Sequence, residues 1–305
     1  MSFSSDVKTE LCKAVPRESC CLRAECYGLL LFGKSFSPSA VTLKTENNAA
    51  AHRAAQLTAE VTGAIVDLSA AIYRRKESKS AFTVSVNEKD QIKSVLSCFG
   101  HTGNEISLRI NRANLENECC IAAFLRGAFL SCGTVTDPQK DYHLEFVVPF
   151  MNLAKDLSVL ISETYELDIQ PGFLNRKGSF VVYIKGSEHV ADFLTFMGAG
   201  NAAMELMQAK MLKEVRNDVN RKTNFETANI DKTAQAAAAQ IIAIEKIVSA
   251  SGISRLPEEL QEFAMLRLRN PEMSLRELGE SLSEPLSRSG VNHRLQRIVE
   301  FAEEI

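Results

Sequence analysis

Two stretches of this chain repeat one pattern of apolar and small residues, 99 residues apart. Cys20-Cys21-Leu22-Arg23-Ala24-Glu25-Cys26-Tyr27-Gly28-Leu29-Leu30-Leu31-Phe32-Gly33 returns as Cys119-Cys120-Ile121-Ala122-Ala123-Phe124-Leu125-Arg126-Gly127-Ala128-Phe129-Leu130-Ser131-Cys132. Each copy opens on a cysteine pair, then carries Ala24 or Ala123, Gly28 or Gly127, and Leu31 or Leu130 at matching intervals. The cysteine, alanine and glycine marks fall one helical turn apart, on one face of an apolar helix. A glycine on that face costs stability relative to alanine, so it calls for a compensating reason. The simplest is close approach of a second helix, here the other copy of the same motif.

The periodicity after each motif helix follows one order. In the first half, Ala40 to Thr45 alternates like a strand and Ala49 to Val61 reads as a helix. Ile65 to Ser69 and Ala81 to Val86 read as further strands, and Asp90 to Cys98 as a short helix. In the second half, Tyr142 to Val148 is a strand and Met151 to Tyr165 an amphipathic helix. Asp168 to Leu174 and Ser179 to Ile184 form a hairpin around Asn175-Arg176-Lys177-Gly178, closed by a helix from Glu188 to Met197. The pattern predicts an α+β protein whose first part is two αββαββα repeats.

Beyond residue 202 the character changes. Ala202 to Ala250 is rich in Ala, Met and Lys and free of proline, which predicts a long helical connector, with Asn224 or Asn229 as places for a break. Gly252 closes it, and Leu256-Pro257-Glu258-Glu259 starts a new helix with proline near its beginning. Three helices follow, Pro257 to Leu268, Ser274 to Leu282 and Ser287 to Glu304, the last two joined by a turn containing Glu284-Pro285. That is an all-α helix-turn-helix unit. The expected boundaries are 1–103 and 104–201 for the two repeats, 202–252 for the linker and 253–305 for the helix-turn-helix domain.

Composition narrows the class. The chain has 305 residues, 45% hydrophobic and 24% charged, as in an ordinary globular protein. The polar start Met1-Ser2-Phe3-Ser4-Ser5-Asp6 and the lack of a bilayer-length apolar run predict a cytoplasmic protein with no membrane partner. Adjacent cysteine pairs are poor disulfide partners, and the eight cysteines form no C-x-x-C ladder. They read as buried reduced thiols, so no metal and no cofactor are expected. The net charge of −3 announces no global affinity for nucleic acid, which leaves the local distribution to decide. Gly198-Ala199-Gly200 lacks the third glycine of a dinucleotide loop and reads as a helix stop and restart.

Small-residue helices crossing at an internal pseudo-twofold axis resemble the LAGLIDADG homing-endonuclease fold. Leu125 to Gly133 is similar to its nine-residue motif, and Cys26 to Lys34 is a weaker match. In those nucleases the eighth motif position is an acid that binds the catalytic metal; here it is Gly33 and Cys132. Mg²⁺ prefers oxygen ligands, so the resemblance implies a fold without catalytic residues. Ser274 to Leu282 followed by Ser287 to Arg294 resembles the DNA-reading unit of sigma factors, with Glu284-Pro285-Leu286 as a small insertion in the turn. Taken with Asp6 to Leu11, Phe124 to Phe146 and the linker run Asn220 to Asn229, the whole layout resembles the WhiA family of sporulation and cell-division regulators. What that resemblance implies is a non-enzymatic, nucleoid-associated transcription regulator acting in cell division or sporulation.

In the last helix, Leu286, Val291, Leu295, Ile298 and Phe301 can form the buried face. Ser287, Arg288, Ser289, Asn292, His293, Arg294 and Arg297 are the candidate DNA-binding residues. Arginine pairs with guanine and asparagine with adenine in the major groove, and a helix N-terminus can hold phosphate. The expected partner is double-stranded DNA, bound by a monomer whose twofold is internal, with another transcription regulator as a further candidate. Asn220-Arg221-Lys222-Thr223-Asn224 reads equally as a phosphate-contacting hinge or as a cap and turn. Lys44, Arg74, Arg75, Lys140, Arg176, Lys177 and Lys185 are the basic residues available to an exposed sheet saddle, for DNA or for protein. Two other readings stay open: a nuclease with metal ligands relocated to Glu25, Asp137 or Glu145, and a nucleoid-associated or protein-interaction scaffold that reads no sequence.

Overall fold

A computed structural model describes residues 2–15, 18–75 and 77–305, the side chains of 73–79 excepted. Two compact units result, Met1–Lys213 and Glu214–Ile305. The first opens with α1 (Phe3–Leu11) and then runs twice through one order of elements. The first pass is α2 (Ser19–Leu31), β1 (Ser35–Ser37), β2 (Ala40–Thr45), α3 (Asn48–Thr62), β3 (Asp67–Arg75), β4 (Glu77–Val86) and α4 (Lys89–Cys98). The second is α5 (Glu118–Cys132), β5 (Gly133–Val135), β6 (His143–Val148), α6 (Met151–Glu163), β7 (Gly172–Arg176), β8 (Ser179–Lys185) and α7 (Ser187–Met197). The two antiparallel sheets have matching strand orders, β1-β2-β4-β3 and β5-β6-β8-β7.

The repeats meet where the glycines are. A β-carbon added to Gly28 would strike the Phe124 carbonyl oxygen and lie 2.9 Å from the Ala128 nitrogen. One added to Gly127 would strike the Glu25 carbonyl oxygen and lie 2.9 Å from the Leu29 nitrogen. These neighbours are backbone, so no rotamer change relieves the contact, and α2 and α5 cross at a distance only glycine permits. Around them Tyr27, Phe99, Phe124, Phe129, Phe146 and Phe193 are fully buried in one core shared by both repeats. Local signals set the ends of elements. Asn47 caps α3 by accepting from the Ala50 amide at 2.9 Å, and Gly63 ends it at φ +69°. Lys177 and Gly178 both take positive φ, as the two-residue turn between β7 and β8 requires.

The remaining elements are α8 (Gly200–Ser251), α9 (Glu258–Arg269), α10 (Leu275–Glu280) and α11 (Arg288–Glu303). Several expected boundaries need correction. The connector is unbroken at Asn224 and Asn229, because one asparagine costs a helix only tenths of a kcal/mol and good helix formers surround both. The run Asn220 to Asn224 therefore lies mid-helix and is not a cap and turn. Strand β7 begins at Gly172 instead of Asp168, whose φ of +45° takes it out of the extended region. Helix α1 was not expected, and the three-residue strands β1 and β5, which the αββαββα layout requires, were not located in the sequence because they are too short to show a period. No helix among the described residues is long and apolar enough to cross a membrane.

Candidate nucleic-acid interface

In the second unit, α9, α10 and α11 pack on a core of Phe263, Leu278, Val291, Leu295 and Ile298. Ser274 starts α10 with a full capping box: its hydroxyl accepts from the Glu277 amide and the Glu277 carboxylate accepts from the Ser274 amide at 2.8 Å. That bond holds the Glu277 carboxyl below its ordinary range. Gly279 lets the turn fold back, since a β-carbon there would strike the Leu286 carbonyl oxygen and lie 3.0 Å from Val291 Cγ2. Ser287 then caps α11, its hydroxyl accepting from the Gly290 amide at 3.3 Å. The start of α11 thus carries exposed Ser287, Arg288 and Ser289 beside its N-terminal amides, an arrangement suited to phosphate and base edges.

The predicted reading residues divide into two groups. Ser287, Arg288, Ser289, Asn292 and His293 are exposed, and the first four line one open groove with Leu275 of α10. Ser289 Oγ lies 3.1 Å from Ser287 Oγ, within the cap. Arg294 instead lies half-buried with its guanidinium 5.1 Å from the centre of the Phe263 ring. Arg297 is exposed but paired with Glu259 of α9 at 2.7 Å. Leu286 and Phe301, expected in the buried face, are only partly buried, while Val291, Leu295 and Ile298 are fully inside.

Sequence reasoning missed a second part of this surface. Lys232 of α8, Arg267 of α9, Arg276 of α10 and Arg288 line one cleft. Arg267 is almost fully buried and held by neutral groups, donating to Gln240 Oε1 at 2.9 Å and to the Met273 carbonyl at 2.7 Å. Burial lowers its pKa from the ordinary arginine value. Arg267 thereby ties the approach to α10 onto α8. An arginine in the apolar half of α9 was the only sequence signal, and Lys232 gave none because helical spacing alone cannot say what faces α8.

The first unit carries the two motif ends. At Gly33, a side chain of any kind would place its β-carbon 2.8 Å from the Thr42 carbonyl oxygen, so an acid does not fit there without backbone movement. At the other end, burial pushes the Cys132 thiol up to about 12, keeping it neutral. Lys8 of α1 reaches the same place and donates to the Leu130 carbonyl at 3.1 Å. The three acids considered as relocated ligands are engaged elsewhere. Glu25 accepts from Arg53 at 2.9 Å and from Arg126 at 3.1 Å; Glu145 accepts from Arg176 at 2.8 Å; exposed Asp137 accepts from the Gln139 amide at 2.8 Å. Among the described residues no group of three acids lies close enough to share an ion.

Among the described side chains, the sheet faces mix acidic, basic and neutral groups. On the first, buried Val41 and Leu43 alternate with Thr42 and Lys44, which pair with Ser85 and Thr83 of β4. On the second, the exposed layer mixes Glu145 and Arg176 with His143 stacked on Tyr183, centroids 5.4 Å apart. Lys185 lies 5.0 Å over the same Tyr183 ring, Lys177 sits in the hairpin turn, and Lys140 is exposed on a loop. The side chains of Arg74 and Arg75 lie outside the described residues.

Two αββαββα repeats crossing on glycines, followed by a helix-turn-helix unit, define a LAGLIDADG-like protein with a C-terminal helix-turn-helix domain. Family models match both parts, the WhiA LAGLIDADG-like domain at residues 121–216 and the WhiA C-terminal HTH domain at residues 219–302. The probable cell division protein WhiA of Ruminiclostridium cellulolyticum is 38% identical, covering 100% of this chain and 98% of that protein. The protein of the same name from Alkaliphilus metalliredigens is 35% identical over 99% of this chain and 98% of its own length. The crystal structure of full-length DUF199/WhiA from Thermatoga maritima superposes with a TM-score of 0.59 at 27% identity, covering 100% and 99% of the two chains. The chain belongs to the WhiA family.

Proposed function

We propose that this chain is a sequence-specific, double-stranded-DNA-binding transcription regulator of cell division or sporulation, acting in the cytoplasm on the nucleoid, with no nuclease activity. The observation that carries the reading is the exposed N-terminal face of α11, where Arg288, Asn292 and His293 stand exposed beside the Ser287 cap. Arg288 and Asn292 are the base readers, and Ser287, Ser289 and the helix N-terminus hold phosphate. Lys232 and Arg276 extend the phosphate contacts along the cleft they share with Arg288. Arg294 supports the helix from Phe263, and Arg297, partnered by Glu259, adds phosphate contact at the far end.

A second reading, a scaffold that reads no sequence, is favoured by one observation: the described side chains of the second sheet pair Arg176 with Glu145, so the two charges offset each other. We assign the exposed sheet faces of the first unit to a protein partner, for which a second transcription regulator is the candidate. Binding to a selected site and to random duplex separates the readings. Asn292→Ala or Arg288→Ala should weaken the selected site by about 1–3 kcal/mol and random duplex much less. Arg297→Ala should weaken both alike and flatten the salt dependence. Unchanged affinity for both duplexes in the Asn292 and Arg288 variants would hand the function to the scaffold reading.

A further inference from the structure

The cysteine pairs that open the two motif copies meet in space. Cys20 and Cys21 lie in the first turn of α2, Cys119 and Cys120 in the first turn of α5, and all four sulfurs lie within 4.8 Å of one another. They form the one group of three or more His, Cys, Asp or Glu among the described residues that could share an ion. Cys20 Sγ is 3.9 Å from Cys119 Sγ, and Cys21 Sγ is 3.6 Å from the Cys119 carbonyl oxygen. Cys21 and Cys120 are buried, Cys20 is half-buried and Cys119 is exposed, so the cluster is built into the fold yet open on one side. A cleft lined by Arg23, Asn114 and Glu116 leads to Cys20 and Cys120. The expectation of no metal rested on the lack of a C-x-x-C ladder, and each motif copy by itself supplies only an adjacent pair. The pseudo-twofold supplies the other two ligands.

The dimensions decide what such a cluster can hold. A Zn–S bond of about 2.3 Å in a tetrahedron sets neighbouring sulfurs roughly 3.8 Å apart. The Cys20–Cys119 separation of 3.9 Å already matches that edge, and the 4.8 Å limit on the rest leaves at most about an ångström of side-chain adjustment. A disulfide needs its sulfurs at about 2.05 Å and would use only two of the four. Thiolates select a soft or borderline cation over Mg²⁺ or Ca²⁺, and four of them make a closed structural site. Both pairs also sit at helix N-termini, where the backbone amides and dipoles favour negative charge.

We propose that Cys20, Cys21, Cys119 and Cys120 bind one structural Zn²⁺ that staples the two repeats together at the start of their crossing helices. Binding replaces four S–H bonds with four Zn–S bonds, releases four protons to solvent and leaves a tetrathiolate of net charge −2. No sulfur changes oxidation state. Arg23 lines the cleft beside that charge, its guanidinium donating to Asn114 Oδ1 at 3.3 Å.

The test uses full-length protein, stripped with chelator and reconstituted with Zn²⁺ or Co²⁺ under reducing conditions. One zinc ion per chain should be retained through desalting, and Co²⁺ should show thiolate charge-transfer absorption with tetrahedral d–d bands. Zn²⁺ should raise the melting temperature of the wild-type chain. Cys119→Ser and Cys20→Ser change accessible positions; both should fold, as judged by circular dichroism, and both should lose the cobalt bands, the retained zinc and the thermal shift. A wild-type chain that retains no zinc, cobalt bound without thiolate bands, or variants that keep the metal would each overturn the proposal. So would a Cys20–Cys119 disulfide that persists under the reducing conditions used.

Discussion

Glu25 is fully buried on α2, where a lone carboxylate would be very costly. It is kept there by two guanidiniums, Arg53 from α3 and Arg126 from α5, at 2.9 and 3.1 Å. Arg126 also donates to the Met197 carbonyl at 2.9 Å, so one charge cluster ties α2, α3, α5 and the end of α7. Breaking a buried pair strands its partners, and here two arginines would be stranded at once. Glu25→Ala should cost about 3–5 kcal/mol, read as a fall in the urea midpoint at unchanged slope. A loss below about 1 kcal/mol would mean that the arginines find water, and that the cluster is less closed than its geometry states. From the sequence, Glu25 was readable as an acid near a catalytic-looking motif and nothing more. Its role depends on an arginine from the other repeat, which no local spacing reveals.

At the scale of elements, the α2–α5 crossing carries the first unit. The sequence exposed it because a glycine on an apolar helical face is expensive, and two such glycines in register point to each other. Gly127→Ala puts a β-carbon against the Glu25 carbonyl oxygen, which no rotamer can escape. The helices must separate, at a cost of about 1–3 kcal/mol or more, and Gly28→Ala should behave likewise against Phe124. An unchanged melting temperature in both variants would refute the close crossing. Helices and the longer strands were legible in this way because period and propensity agree along them. The limits of β3 and β7 were not, because hairpin pairing carries β3 to Arg75 and a left-handed Asp168 delays β7. The thiol cluster was hidden for another reason: spacing rules assume that ligands come from one loop, whereas this set comes from two helix starts related by symmetry.

At the scale of the whole molecule, net charge supplies no general attraction for a polyanion. The net charge is −3, and within Glu214–Ile305 acids slightly outnumber bases. On the function proposed above, DNA affinity arises from the few groups gathered at α10, α11 and Lys232 of α8, with a salt slope of only about 0.9 per phosphate engaged. Among the described residues of the nuclease-like body, no three acids lie close enough to share an ion. The body's first motif end has no room for a side chain at Gly33, and its second offers a neutral Cys132 thiol with Lys8 close by. A hard cation needs carboxylate oxygens, and an ammonium beside the site would repel it further. Supercoiled plasmid incubated with the full-length chain and Mg²⁺ or Mn²⁺, at protein concentrations that shift the DNA completely, should remain supercoiled. Nicking that copurifies with the protein and disappears in Asp137→Asn or Glu145→Gln would show that ligands reassemble on DNA. In that case Glu145 would have to leave Arg176, to which it is now joined at 2.8 Å, and Arg176→Ala should then speed the cleavage.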